Sequence, residues 1–464
     1  MSKAALFVGD DGRYKIPAPI LLALIGPIVI LTWFYVFYAQ NAWFCQDDFD
    51  FISKYSVSVE WRQLYDFSDF GRFLSRNVYW HFCLKWFSHN AQYFYLTNFS
   101  IILATGFLIY AIFRREYGRF EGLIAGLLYL MLPATIESYV WISNSQHIIG
   151  HFFVALFVYV FVSNRGDTDK ASEIFRAIAL SIILVLGILS NIFVIMVLSL
   201  PAWMLLIDRR TWRAKSIYAL LIFGVMLFIF FFHKLAANQT GAYSTSYTPK
   251  VVIDNAEYYA GGKARAVFWF ILVGLGGIYA ALKNKYMTSW FFLASFAFFI
   301  PFAFFSVSYH RYGQYGELSN LFFLLAVWSF LIEFIGVRGA YFVGYAGLVM
   351  VFSVFFHALE PSVRYFSESP MGAAQKKQID YLKEYEVLHP EKAKYCFRSD
   401  KKVNNATGVK EWDIPAEWWA LDFGKALTLF ANPDKTYNLL QSSADCDVVF
   451  VFKDNMLVDA GGQQ

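Results

Sequence analysis

The sequence predicts an all-α polytopic membrane protein of about eleven transmembrane helices, followed by a small C-terminal α/β or α+β domain. Three observations predict it. Hydrophobic residues make up 58% of the chain and charged residues only 16%, where a soluble domain carries about 25% charge. Apolar runs of the length a bilayer core demands, about 20 residues, recur along the chain. Basic residues then fall in alternate short loops, as the positive-inside rule requires. The 51 Phe, 30 Tyr and 14 Trp suit lipid contact and interfacial belts.

Candidate spans fall near 18–39, 94–113, 120–133, 147–163, 174–189, 191–207, 216–233, 266–282, 288–306, 317–335 and 340–358. The first is read as a retained helix rather than a cleaved signal, since no small-residue cleavage site follows it. Arg13 and Lys15 precede it, and Arg114, Arg115 and Arg119 follow the second span. Arg165, Lys170 and Arg176, then Arg209, Arg210, Arg213 and Lys215, then Lys283 and Lys285, and finally Arg338 continue the alternation. These loops are expected in the cytoplasm. That places the N-terminus inside and residues 360–464 outside.

Residues 1–359 therefore form the membrane domain and 360–464 a C-terminal domain. Two long outer loops are expected, 40–93 and 234–265, the first with amphipathic helices lying on the membrane. All the cysteines fall on the outer side: Cys45 and Cys83 in the first loop, Cys396 and Cys446 in the C-terminal domain. Disulfides persist in oxidising compartments, so 396–446 and 45–83 are the candidate bridges, against free thiols placed by chance. A net charge of +4 gives no basic footprint for nucleic acid.

Polar groups with chemical potential share the predicted outer face. Asp47 and Asp48 stand just past the first span, where a solvated loop is the plain alternative. Arg72, with Arg76 close by, can hold a phosphate through a bidentate fork, or simply snorkel to the headgroups. Glu137 lies in the otherwise apolar stretch 133–143, where an ionisable group is a functional candidate by default. His310 and Arg311 stand in a short outer loop, against the charge rule, and can receive an anion. No Walker loop, dinucleotide-binding glycine motif or zinc-protease helix occurs where it could work.

In order, these features resemble the GT-C superfamily of membrane glycosyltransferases, near its bacterial, O-mannosyltransferase-like and O-antigen glucosyltransferase-like branch. There an acidic pair opens the first outer loop, matched by Asp47-Asp48. A Y-R-P-L element is matched by Gly71-Arg72-Phe73-Leu74, and an asparagine of the second helix by Asn98. An H-P-x-x-V-E-x-V-x-W-I-S element is matched from Leu132 to Ser143, and an S-K-E…L-P stretch by Ser190-Asn191 and Leu200-Pro201. A late E-R-Y is matched by His310-Arg311-Tyr312. Departures at Phe73, Leu132, Ser145, His147 and His310 make the likeness distant.

The resemblance implies a polyprenyl-phosphate hexose donor and a glycan acceptor such as lipopolysaccharide O-antigen, joined with inversion at the outer face of the bacterial inner membrane. It implies Asp47 or Asp48 as general base, with Asp47 preferred, and Arg311, Arg72 and His310 at the donor phosphate. Glu137 would position the acceptor. No cofactor and no metal are expected, though some relatives bind a metal through the same acids. A protein or lipid A acceptor, a transporter or flippase of lipid-linked sugars, and a non-catalytic scaffold are the alternatives.

Overall fold

The computed structural model describes residues 18–44, 47–56, 71–132, 136–163, 170–207, 219–220, 222–227, 248–260, 262–304, 316–334, 343–344, 346–355, 357, 359, 373–398, 402–403, 412–415, 421, 424–439, 446–453 and 456–460. Helix α1 (Ala18–Asn41) leads into α2 (Asp47–Ser56). A π-helical turn, Leu74–Val78, continues into α3 (Tyr79–Phe87), and the long α4 (Ala91–Glu116) and shorter α5 (Arg119–Leu130) form a hairpin. Then come α6 (Ile136–Val140), a 3-10 turn (Ile142–Asn144), α7 (Ser145–Ser163), α8 (Lys170–Ser190), a 3-10 stretch (Ile192–Leu198) and α9 (Ser199–Ile207). Helices α10 (Pro249–Ala260), α11 (Lys263–Leu282), α12 (Tyr286–Ala303), α13 (Glu317–Phe334) and α14 (Ala346–Phe355) complete the membrane part.

Six described helices are long and apolar enough to cross a bilayer: Ala91–Glu116, Ile142–Ser163, Glu173–Ser190, Lys263–Leu282, Tyr286–Ala303 and Glu317–Phe334. The chain is a helical polytopic membrane protein. The expected span 120–133 is a different object: α5 has 12 residues, about 18 Å of helix, well short of a hydrocarbon core of about 30 Å. It is held instead against α4. Gly122 and Gly126 form a G-x-x-x-G stripe, and a Cβ at Gly122 would stand 2.6 Å from the Tyr110 carbonyl oxygen. Small residues at this spacing let two backbones touch without lipid between them. Much of 216–233 and of 340–358 lies outside the described residues.

Polar groups inside the helix bundle are met by neighbouring helices, as an apolar solvent requires. Ser295 of α12 and Ser319 of α13 exchange hydroxyl-to-carbonyl bonds of 2.9 and 2.8 Å. Pro301 sits near the end of α12, and the Asn255 amide of α10 donates to the Phe302 and Ala303 carbonyls there at 3.0 and 2.9 Å. Tyr35 of α1 donates to the Tyr95 carbonyl at 3.0 Å, and Tyr38 to that of Val140 at 3.1 Å. The outer faces stay apolar: Phe268, Leu275 and Leu282 of α11 are all exposed, as lipid-facing side chains would be.

The C-terminal part is a mixed α/β unit. Helix α15 (Ala373–Leu388) packs beside a four-stranded sheet of β1 (Lys394–Arg398), β4 (Thr436–Leu439), β5 (Val448–Lys453) and β6 (Met456–Asp459), in the order β4-β1-β5-β6. Strand β1 runs parallel to β4 and β5, and β6 returns antiparallel to β5. A separate hairpin pairs β2 (Lys402–Val403) with β3 (Trp412–Pro415), and a short helix, α16 (Lys425–Phe430), precedes β4. Parallel neighbours need a crossover connection, and α16 lies in the one between β1 and β4. Asp447 accepts the Ala393 and Lys394 backbone N–H groups at 2.7 and 2.9 Å, and those bonds hold its carboxyl below the usual range.

Cys396 and Cys446 are joined by a disulfide. It ties β1 to the chain just before its neighbour β5. The expected 45–83 bridge is not formed: Cys83 is a free, buried thiol. It lies on the inner face of α3 against Tyr79, and burial pushes its pKa up to about 12. Cys45 lies outside the described residues. Cys396 and Cys446 should resist maleimide in the folded protein until a reductant is added. Their loss should destabilise the domain by up to about 4 kcal/mol, the chain-entropy figure for a loop of this length. Labelling of both thiols without reductant would contradict the bridge.

Candidate functional site

Helix α2 is where the acidic pair acquires structure. Asp47, Asp48 and Asp50 occupy its first turn, where carboxylates complement the positive end of a helix dipole, and Lys54 occupies its last. Asp48, Ile52 and Tyr55 recur at helical spacing and are buried, while Asp47, Asp50 and Lys54 are exposed. The two acids of the pair thus meet different surroundings. Asp47 faces outward. Asp48 is fully buried, and its Oδ1 accepts a hydrogen bond from the Ser143 hydroxyl. A helix-dipole role alone would not bury a carboxylate; the bond across to the W-I-S element does.

That element is positioned by α4. Tyr79 donates to Asn98 Oδ1 at 2.7 Å, and Asn98 Nδ2 donates to the Ile142 carbonyl at 3.3 Å. Burial, with Cys83 beside it, holds the Tyr79 phenol well above its ordinary pKa, so it stays a neutral donor. Asn98 therefore links α3, α4 and the 3-10 turn that carries Ser143.

The arginine element meets the same turn from the other side. Ser75, in the π-turn after Arg72, donates to the Ser190 carbonyl at 2.5 Å. Ser145 reaches the Ser75 carbonyl at 3.4 Å. A Cβ on Gly71 would stand 3.1 Å from Ile192 Cβ, so the chain before Arg72 lies tight against the end of α8. Arg76 places its guanidinium 5.0 Å from the Phe51 ring of α2, a cation–π approach. The charges of both Arg72 and Arg76 act on His147. His147 is four residues beyond Ser143, about one helical turn, and its Nδ1 is 3.5 Å from Asn191 Nδ2.

Asp47, Asp48 and Arg72 are thus gathered around one junction of α2, the π-turn and the start of α7. Glu137 belongs to α6, just before the Ser143 turn, but its side chain is outside the described residues. His310 and Arg311 are outside them too. The residues that join the expected ones are Arg76, Ser143, His147 and Asn191. Two buried side-chain atoms in this stretch, Asn144 Nδ2 and Gln146 Oε1, have no hydrogen-bond partner among the described residues. Buried polar atoms are rarely left so, and a binding site is one place where they are. Among the described residues, no three His, Cys, Asp or Glu side chains gather as a metal centre would need.

The junction sits at one end of the bundle. It adjoins Asn98 near the start of α4, whereas Arg114 and Arg115 close the same helix. Asn98 and Arg114 are thus about 24 Å apart at the rise of an α-helix. The acid and arginine cluster and the basic hairpin therefore lie toward opposite ends of α4.

A second polar constellation lies inside the bundle, at residues that motif and loop position do not single out. Glu317 of α13 is almost fully buried; its Oε1 accepts from Ser138 at 2.8 Å, and its Oε2 is 3.3 Å from His151 Nε2. The signal in the sequence is that Glu317 and His151 are ionisable residues within apolar spans. Compared with protein-family models and with curated proteins, the chain matches none.

Proposed function

We propose that this protein is a glycosyltransferase of GT-C-like architecture that moves a hexose from a polyprenyl-phosphate donor to a glycan acceptor, O-antigen fitting best. The reading places the N-terminus in the cytoplasm, and the acid and arginine junction at the periplasmic face of a bacterial inner membrane. One observation carries it: an exposed carboxylate, Asp47, stands beside an internally bonded one, Asp48, at a junction shared with Arg72 and Arg76.

A general base must reach the proton it removes. Asp47 is the acid of the pair that a substrate can reach, so it takes the base role. Asp48, tied to Ser143, holds α2 in place. In the reaction the acceptor oxygen bonds to the anomeric carbon as the bond from that carbon to the phosphate oxygen breaks. The acceptor proton passes to Asp47, and the polyprenyl phosphate departs with its charge. Arg72, with Arg311 and His310 from the predicted later loop, would meet that charge; an arginine fork suits phosphate better than a point charge. Asn144 and Gln146 offer unspent amide atoms to sugar hydroxyls, and Glu137 would align the acceptor.

A transporter of lipid-linked sugars is the competing reading, and the buried His151–Glu317 pair is the feature that favours it. Purified protein in sealed vesicles, given radiolabelled polyprenyl-phosphate glucose and O-antigen acceptor, separates the two. Label appearing in the glycan supports the transferase. Label crossing sealed vesicles unchanged, with no glycan product, would replace it with the transporter.

A further inference from the structure

The C-terminal domain grips the helix that carries the acidic pair. Its helix α16 ends in Phe430, whose ring is surrounded by membrane-domain aromatics. Trp43 is 5.2 Å away, Phe49 5.9 Å and Phe44 6.4 Å between ring centroids, with the His89 imidazole at 5.2 Å. Trp43 and Phe44 belong to the link between α1 and α2, Phe49 to α2 itself, and His89 to the turn before α4. One side chain of the C-terminal domain thus touches the α1–α2 link, α2 and the turn before α4. At the other end of α16, Lys425 Nζ lies 2.8 Å from Asp50 Oδ1. Asp50 is three residues beyond Asp47, on the same face of the helix, where side chains are neighbours. The ammonium therefore stands on the face of α2 that carries the exposed acid.

These two contacts do different work. The Lys425–Asp50 pair is half exposed on both sides, and pairs of that kind hold little by themselves. The aromatic socket buries Phe44 and Phe49 against the half-buried Phe430 and Trp43, and edge-to-face rings fix an angle as well as a distance. The socket supplies the grip, and the ion pair sets the rotation of α2 about its axis and the local charge.

We propose that α16 of the C-terminal domain is a positioning element for the transfer reaction, with Phe430 anchoring α2 and Lys425 orienting its outer, acid-bearing face. This rests on the glycosyltransferase reading for its catalytic part, whereas the grip itself does not. It also makes the C-terminal domain part of the catalytic unit, so the acceptor would reach Asp47 along the seam between the two parts of the chain.

The test uses the full chain in nanodiscs. Phe430→Ala should raise amide hydrogen exchange in the peptide covering Asp47–Ser56 at least tenfold. It should lower single-turnover transfer from polyprenyl-phosphate glucose about 10- to 100-fold, the scale on which catalysis answers to small displacements, with donor KM unchanged. Unchanged amide exchange in β1 and β5 shows that the domain itself is still folded. Lys425→Asp should cost about two- to fivefold, in line with an exposed pair, and Asp50→Lys in the same chain should restore the rate. Unchanged exchange in α2 with the disulfide intact would overturn the proposal, as would a charge-swapped double variant no better than its parents. If the unmodified protein transfers no sugar, the glycosyltransferase reading fails, and the exchange result still decides the grip.

Discussion

Asp47→Asn should lower sugar transfer about 10²–10⁴-fold, the usual cost of losing a general base, while the protein inserts and folds as before. Asn keeps the shape and the hydrogen-bonding reach of Asp but cannot take up the acceptor proton. Because Asp47 is exposed at the first turn of α2, stability should move by less than about 1 kcal/mol. Donor KM should hold, since the phosphate is assigned to arginine. Asp48→Asn is the informative partner. Its amide oxygen can still accept from Ser143, so the bond across to the W-I-S element survives and transfer should fall far less. Asp48→Ala removes that bond and strands a buried hydroxyl, which costs stability by about 1–3 kcal/mol. Transfer rates for the three variants at equal expression check this. If Asp47→Asn kept full turnover while Asp48→Asn lost it, the roles of the two acids would be reversed. If both kept it, the proposed chemistry would be wrong.

How much of this was legible in the sequence depended on the range of the interaction. The membrane class, the long apolar helices and the amphipathic α2 and α3 follow from periodicity and length, which are local. So does the proximity of Asp47 to Asp48. The different surroundings of those acids were not legible, because they depend on a bond between residues 95 positions apart, Asp48 and Ser143. The same holds for the C-terminal grip: Lys425 and Asp50 are separated by 375 positions, and neither belongs to any recognisable motif. The shortness of α5 was hidden for another reason. Residues 120–133 are apolar but for Glu121, so hydropathy alone reads them as a span, whereas the helix stops at Leu130. The 396–446 bridge was foreseeable from compartment. The 45–83 bridge failed because α3 turns Cys83 inward, onto Tyr79, a fact of helix rotation that cysteine counting does not contain.

Glu317→Ala should be among the most damaging single changes in the membrane domain, at about 3–5 kcal/mol, the cost of breaking a buried ionisable pair by removing one member. The carboxylate is the common partner of Ser138 at 2.8 Å and His151 at 3.3 Å, and it links α6, α7 and α13. Without it a hydroxyl and an imidazole are left inside an apolar bundle. Water cannot replace the lost group there: the adjoining cavity, about 20 Å³, is lined by Ile109, Val154, Leu321, Phe322 and other apolar side chains, with His151 its one polar member. A site of that kind has room for a water molecule but too few partners to hold one. Glu317→Gln keeps an acceptor for Ser138 and should cost less than half as much. The pair of changes Glu317→Leu with His151→Leu removes both polar groups together and should recover most of the stability, since well-packed apolar residues replace buried pairs at little cost. Thermal unfolding of the detergent-purified variants reads the order directly, and their transfer rates separate structure from chemistry. A double-Leu protein that is stable and active makes the pair a structural joint between helices. One that is stable yet inactive in transfer would show that His151 and Glu317 carry protons or substrate, and a purely structural role for the pair would fall.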